Sequence, residues 1–184
     1  MRIVAGRFRG HGLAAPASQA IRPTSDRLRE SLFNILEHGY DDPVTDARVM
    51  DLFAGTGALG FEAMSRGAKS CLFVEDAAEA RGLIRSNQEA LGLTGTTRIF
   101  RRDATRMGSV GPAEAYTLAF LDPPYGKGLA GTALESLAAG GWLAPGALAV
   151  VEESAKAEVA LPAAFTPLER RDYGETQVLF LRLA

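Results

Sequence analysis

Apolar residues recur along this chain at two different spacings. Leu28, Leu32, Phe33, Ile35 and Leu36 fall on one helical stripe behind Thr24 or Ser25 as a cap, which predicts a helix to about His38. From Arg48 onward, short continuous apolar runs alternate with helical stretches. ARVMDLFA, KSCLFVE, TTRIF, AYTLAFL and GALAVVEE predict five strands. Helices are expected from GTGALG to about Arg66, over AAEARGLIRSNQEALG with Asp76 as its cap, and from Leu129 to Ala139. Strands apolar on both faces and alternating with helices imply a mostly parallel α/β sheet with helices on both sides. The tail, FTPLERRDYGETQVLFLRL, breaks the rhythm and reads as an antiparallel hairpin turning near Gly174. Gly6, Gly10 and Gly12 mark turns in a short extended or hairpin segment over 1–15, followed by a loop from Pro16 to Pro23. The expected organisation is a small N-terminal extension, 1–23, and one α/β domain, 24–184.

At 47% hydrophobic and 23% charged over 184 residues, the chain has apolar surface enough for a real core. That excludes disorder, collagen-like repeats and a disulfide-stapled miniprotein. No run of eighteen apolar residues offers a membrane span, and MRIVAGRFRG lacks the apolar stretch of a secretory signal. The single cysteine, Cys71, has no partner for an internal disulfide, so a cytoplasmic location is expected. Net charge is only −2, but it is unevenly placed. Residues 1–30 carry six arginines (Arg2, Arg7, Arg9, Arg22, Arg27 and Arg29) against Asp26 and Glu30, leaving a net −6 on the rest. A basic extension on an acidic body reads as a grip for a polyanion. Arginine outnumbers lysine 17 to 3, a bias that explains the choice of cation but not its clustering.

GTGALG, residues 55–60, follows a strand and opens a helix. Glycines there permit a tight turn and let backbone N–H groups approach a ligand. Glu75 ends the second strand 20 residues beyond Gly55, where an acid accepts the hydroxyls of an adenosine ribose. This much suits a nicotinamide dinucleotide. Asp51 argues otherwise, because a carboxylate four residues before Gly55 would repel a pyrophosphate and attract a cation. S-adenosylmethionine has adenosine, no phosphate, an ammonium and a sulfonium. Asp103, closing the third strand, either accepts from the adenine amino group or caps the turn after it.

Asp122-Pro123-Pro124-Tyr125 ends the fourth strand. Two prolines fix φ and supply no N–H, so the loop is stiff with outward carbonyls. The exocyclic amine of a base is a poor nucleophile because its lone pair is delocalised. The Asp122 carboxylate and the Pro123 carbonyl can accept both amine hydrogens and hold the nitrogen ready to attack. Tyr125 would stack on a base swung out of its helix or loop. Asp122 can accept from both N1–H and N2 of guanine, which favours guanine modestly over adenine.

DLFAGTGALGFEA, FVE and DPPY in this order resemble the class I S-adenosylmethionine methyltransferases. With IVAGRFRG and RPTSDRLRESLFNIL the chain is similar, over nearly its whole length, to the RsmD-type methyltransferases. The resemblance implies a Rossmann-like fold with a seven-stranded, mostly parallel sheet whose last strand is antiparallel. It implies methyl transfer from S-adenosyl-L-methionine to N2 of guanine 966 of bacterial 16S rRNA, in small-subunit particles or assembly intermediates. On its pattern Arg22, Thr24, Asp51, Phe53, Ala54, Gly55, Thr56, Gly57, Glu75, Asp103 and Ala104 would hold the cofactor. Asp122, Pro123, Pro124 and Tyr125 would hold the guanine. Arg2, Arg7, Arg9, Arg22 and Arg27 would meet RNA phosphates. No membrane or metal partner is expected, and a monomer is.

Rival readings are adenine-N6 methylation, methylation of a protein glutamine amide, a nicotinamide-dependent dehydrogenase and an assembly factor without turnover. Asp rather than Asn at 122 weighs against the glutamine substrate, and Asp51 with DPPY against the dehydrogenase. Cys71 and Trp142 are expected to pack in the core, and Lys127 to be a solvated loop residue. His11 and His38 stand apart from any cluster at metal-ligand spacing.

Overall fold

The computed structural model describes residues 1–14, 16, 24–112 and 114–184. Its elements are α1 (Asp26–Gly39), β1 (Arg48–Leu52), α2 (Ala58–Ser65), β2 (Ser70–Val74), α3 (Ala78–Leu91), β3 (Thr97–Phe100), β4 (Tyr116–Leu121), α4 (Leu129–Gly140), β5 (Leu143–Ser154), β6 (Phe165–Tyr173) and β7 (Thr176–Leu183). The strands form one sheet in the order β3-β2-β1-β4-β5-β7-β6. Strands β1 to β5 pair in parallel, whereas β7 runs antiparallel to both β5 and β6. This is the Rossmann-like sheet that the sequence pattern predicts, with its last strand reversed.

The period of two in each strand divides the core into two layers. Val49, Phe73, Phe120, Val150 and Phe180 join the layer shared with α1, α2 and α3. Met50, Leu72, Leu121, Val151 and Leu181 join the layer shared with α4. The same alternation places Asp51, Asp122 and Glu152 on the α1 side, immediately beyond the apolar positions of β1, β4 and β5. Three carboxylates therefore gather at one end of the sheet, where β1 and β4 separate the two halves of the strand order. That switch point is where open α/β sheets bind ligands.

Ser25 caps α1, its hydroxyl accepting from the Leu28 N–H at 3.1 Å. The buried stripe of this helix is Arg29, Leu32, Phe33 and Leu36. Arg29 and Glu62 of α2 are both fully buried and form an ion pair at 3.2 Å. Glu62 also accepts from Arg66 Nε at 2.9 Å and from the N–H groups of Val4 and Ala5 at 2.9 and 3.1 Å. One buried acid thus fastens the N-terminus to two helices.

Residues 1–13 form a hairpin closed by a bridge between Arg2 and Gly12, with Ile3 N–H donating to the His11 carbonyl. Ile3 and Leu13 are buried in the same layer as α1, α2 and α3. Gly6 has φ +84°, and a Cβ there would lie 2.0 Å from the Ser65 carbonyl oxygen, so only glycine fits this approach.

One expectation fails. Asp76 does not cap α3: the N-cap is Ala77, whose N–H donates to Glu75 Oε2 at 2.9 Å. Glu75, at the end of β2, reaches the amides of this turn first and leaves Asp76 exposed. Cys71 is buried, and Trp142 packs with its Nε1–H on the Gly108 carbonyl at 2.8 Å. No helix among the described residues is long and apolar enough to cross a membrane.

Candidate active site

A cavity of about 450 Å³ opens at the carboxyl ends of β1, β2, β3 and β4, within the usual range for small-molecule sites. Thr24, Asp51, Phe53, Ala54, Gly55, Thr56, Glu75, Asp103 and Ala104 line it, together with Asp122, Pro123 and Pro124. Gly57 is not on its wall. Its φ of +80° turns the chain into α2, and a Cβ there would come within 2.7 Å of the Phe61 ring. Its role is to shape the loop. Arg22 lies outside the described residues, as does the loop expected over 16–23 apart from Pro16. Arg102 and Leu59 also line the cavity; Leu59 stands within GTGALG, whereas no periodicity or motif singles out Arg102.

The loop after β1 is wound tightly. Phe53, Gly55 and Gly57 all have positive φ, and for Phe53, at +57°, that conformation is strained. Glu75 straightens the site from the neighbouring strand: its Oε1 accepts from Gly55 N–H at 2.8 Å while Oε2 accepts from Ala77 N–H. Each oxygen keeps a second lone pair for a ligand hydroxyl. Asp103 is exposed and bends the turn after β3, Oδ1 accepting from the Thr105 N–H and hydroxyl at 2.8 and 2.7 Å. Those bonds hold its carboxyl below the usual aspartate range. Its lining position and its turn-capping role coexist.

Asp51 is the unusual group. It is fully buried, and Oδ2 accepts from Gly60 N–H at 2.9 Å. Oδ1 has no hydrogen-bond partner among the described residues. Burial, opposed by the Gly60 bond and reinforced by the charge of Glu75, pushes its carboxyl up to about 8. A buried acid with one unpaired oxygen, on the wall of a cavity, is a place built for a cationic ligand group. The ribose acceptor Glu75 and the cation acceptor Asp51, on either side of a glycine loop that itself carries no cation, together fit S-adenosylmethionine. That cofactor supplies a methyl group already activated on a sulfonium.

The target side of the cavity is the loop that β4 delivers beside β1. Asp122 N–H faces the Leu52 carbonyl at 3.4 Å. Asp122 Oδ2 accepts from the Thr24 hydroxyl at 3.0 Å. Tyr125 is half-buried and does not line the cavity; its hydroxyl donates to Glu152 Oε1 at 3.0 Å and lies 2.9 Å from Thr176 Oγ1. Arg2, Arg7, Arg9 and Arg27 are all exposed. Arg7 lies over the Phe8 ring at 4.6 Å, and Arg9 and Arg27 enter no ion pair among the described residues.

Sequence reasoning missed Arg29, Glu62 and Glu152. Arg29 had a visible signal, since it stands at the same helical spacing as Leu32, Phe33 and Leu36. Glu152 had a weaker one, as an acid continuing the parity of Leu148 and Val150. Nothing in the sequence pairs Glu62 with the N-terminal amides.

Residues 1–182 match the model of the family described as conserved hypothetical protein 95. Ribosomal RNA small subunit methyltransferase D of Escherichia coli K12 is 38% identical over 153 residues, covering 83% of this chain and 74% of its own length. A hypothetical protein of Thermus thermophilus superposes with a TM-score of 0.76 at 34% identity, over 98% of each chain. An RNA methyltransferase from Salinibacter ruber, solved with S-adenosyl-L-homocysteine, shares the fold at a TM-score of 0.64 and 15% identity, over 88% of this chain and 94% of its own. The chain belongs to the conserved hypothetical protein 95 family, the family of the ribosomal RNA small subunit methyltransferase D enzymes, and is an S-adenosylmethionine-dependent methyltransferase.

Proposed function

We propose that this protein methylates the exocyclic N2 of a guanine in 16S rRNA, at the position equivalent to guanine 966. The observation that carries this reading is Asp122: its carboxylate stands at the cavity edge just beyond the end of β4, beside the strand that carries Asp51 and leads into the glycine loop. In this reading Asp51 and Glu75 orient the bound cofactor, with Thr24, Phe53, Ala54, Gly55, Thr56 and Ala104 around it. Asp122 and the Pro123 carbonyl accept the two hydrogens of the target amine, concentrating its lone pair toward the methyl group. As the amine becomes charged, one N–H bond breaks and its proton passes to the Asp122 carboxylate. Pro124 stiffens the loop, and Tyr125, fixed at its hydroxyl, supplies a ring face for the extruded base.

The E. coli relative is named for the small ribosomal subunit, and this supports rRNA as the polyanion met by the hairpin. Arg2, Arg7, Arg9 and Arg27 are assigned to RNA phosphates, with Arg22 in the same segment. The natural substrate is a small-subunit particle or assembly intermediate, bound by a cytoplasmic monomer.

The test is transfer of labelled methyl to small subunits lacking this modification, followed by nucleoside digestion. N2-methylguanosine is the expected product. Label in N6-methyladenosine would keep the loop chemistry and overturn the substrate.

A further inference from the structure

Glu152 is a buried acid to which neither cofactor nor guanine binding gives a role, yet it holds one end of the catalytic loop directly, at Tyr125, and reaches the other, Asp122, through Thr24. Its Oε1 accepts from the Tyr125 hydroxyl at 3.0 Å, and its Oε2 accepts from the Thr24 hydroxyl at 3.2 Å. The same Thr24 hydroxyl lies 3.0 Å from Asp122 Oδ2. A hydroxyl has one proton to give, so Thr24 can donate to Asp122 or to Glu152 but not to both. Two carboxylates therefore share one donor at the cavity edge.

We propose that Glu152 is a positioning residue for methyl transfer, holding Tyr125 and Thr24 in place and, through Thr24, helping Asp122 take the proton released by the target amine. This rests on the reading of Asp122 given above. Before transfer, Asp122 is ionised and accepts from the amine. When the N–H bond breaks, an O–H bond forms on Asp122. The protonated Asp122 then donates to Thr24 Oγ, and Thr24 turns its own proton to Glu152 Oε2. Each group then has a partner of the right sense: the amine proton rests on Asp122, and the one negative charge left on the two acids is that of Glu152, beyond Thr24 from the methylated nitrogen.

The surroundings suit this role. Thr176 Oγ1 on β7 lies 2.9 Å from the Tyr125 hydroxyl, fixing the phenol from its far side. Glu153 is buried beside Glu152 but is occupied elsewhere, accepting from the N–H groups of Gly126 and Ser154 at 3.0 and 2.7 Å. Arg29 of α1 donates from Nη1 to the Thr24 carbonyl at 3.1 Å, which holds that backbone while leaving its hydroxyl to turn. Tyr125 thus meets Glu152 directly and Asp122 meets it through Thr24, while Glu153 adjoins it in the chain and Arg29 approaches by way of the Thr24 backbone.

The experiment is steady-state methylation of small subunits as a function of pH, with Glu152→Gln, Glu152→Ala, Thr24→Val and Asp122→Ala beside the unaltered protein. Cofactor affinity and thermal melting are measured on each. Glu152→Gln keeps one accepting oxygen for the Tyr125 hydroxyl but turns an NH2 donor toward Thr24, so the charge and the acceptor for the Thr24 proton are lost together. Its kcat should fall roughly 10-fold or more with KM for the particle unchanged, in the range seen for outer-shell supporting groups. The acid limb of its kcat profile should move down by about one pH unit, because a like charge no longer opposes ionisation of Asp122. Glu152→Ala should lose kcat and raise KM together, since Tyr125 is released.

Thr24→Val leaves the Glu152 charge and the Glu152–Tyr125 bond in place but takes a donor away from ionised Asp122, so it should lower kcat and move the acid limb up rather than down. This arm carries the test if Glu152→Gln melts early. A Glu152→Gln profile superposable on the unaltered one, with Asp122→Ala inactive, overturns the proposal alone. Equal losses in both Glu152 variants with no pH displacement reduce Glu152 to a packing residue and also overturn it. Full activity in Asp122→Ala overturns the reading beneath it.

Discussion

Replacing Asp51 with Asn separates what this residue does for folding from what it does for the cofactor. Burial lifts the carboxyl from an ordinary value near 3.8 to about 8. Between those limits the folded chain holds a proton that the unfolded chain has released. Stability from this group is therefore full below the unfolded value and declines as pH rises through the folded one, at about 1.4 kcal/mol per pH unit. At pH 7 the accumulated cost is on the order of 4 kcal/mol. Asn does not titrate and keeps an acceptor for Gly60 N–H, but it places an amide where Oδ1 now stands unpaired, at about 1–3 kcal/mol.

Asp51→Asn should then be more stable than the unaltered apo-protein by about 1–3 kcal/mol at pH 7, or roughly 2–9 °C in Tm. The advantage should vanish at about pH 4.5–6, reverse below that, and grow toward pH 8. Urea melts of both proteins at pH 4.5, 6, 7 and 8 read the difference, and other acids cancel in it. Cofactor binding should move the opposite way. Losing a charge-assisted contact of about 1.5–3 kcal/mol predicts a roughly 10- to 150-fold weaker Kd. Affinity of the unaltered protein should rise with pH up to about 8, with release of a proton on binding, while that of Asp51→Asn stays flat. A stability difference independent of pH would refute the buried-acid argument. Equal cofactor affinity would refute the assignment of Asp51 to a cation.

Asp122→Ala should abolish methyl transfer and leave cofactor affinity within a few-fold, as read by calorimetry beside a labelled-methyl assay. Changing Arg7 and Arg9 together to Ala should weaken RNA binding and make its dependence on log salt shallower by up to about 2, one for each phosphate no longer neutralised; an unchanged slope removes the hairpin from the RNA interface. Glu62→Ala takes from Arg29 its buried acid, leaving it the half-exposed Asp26 at 2.7 Å, and releases the Val4 and Ala5 amides, so chemical denaturation should show a loss of about 3 kcal/mol. Gly60→Ala would drive a Cβ to 2.4 Å from the Phe73 ring and 2.7 Å from Cys71 Sγ, lowering stability by about 1–3 kcal/mol in the same assay.

The sheet was legible because its physics is local. Five apolar runs of strand length, three of them leading into a helical stripe, admit little besides a parallel sheet with two covered faces. The hairpin turning at Gly174 then forces the final strand to run backwards. The glycine loop, Glu75 and DPPY were legible for a related reason: turn geometry and strand ends are set by a few neighbouring residues, and ligands of this architecture bind at those ends. Residue types alone also pointed to a cationic, phosphate-free nucleotide, through Asp51.

What the sequence left open concerns groups distant along the chain. Asp76 looks like a helix cap until the fold shows Glu75 already bonded to the first amide of that turn. Residues 1–13 read as a basic extension by charge, yet Ile3 and Leu13 lie in the common core and Glu62 holds the backbone between them. Arg29 stands on the apolar stripe of its helix, but only the packing of α1 on α2 shows that Glu62 is its buried partner. Thr24, Asp122 and Glu152 stand 98 and 128 residues apart from the first to the others, and no local pattern announces that one hydroxyl serves two acids. Periodicity fixes which way a side chain faces, because that depends on its own strand or helix. Which partner it meets there depends on how the elements are stacked, and burial then makes an unpaired charge too costly to leave alone.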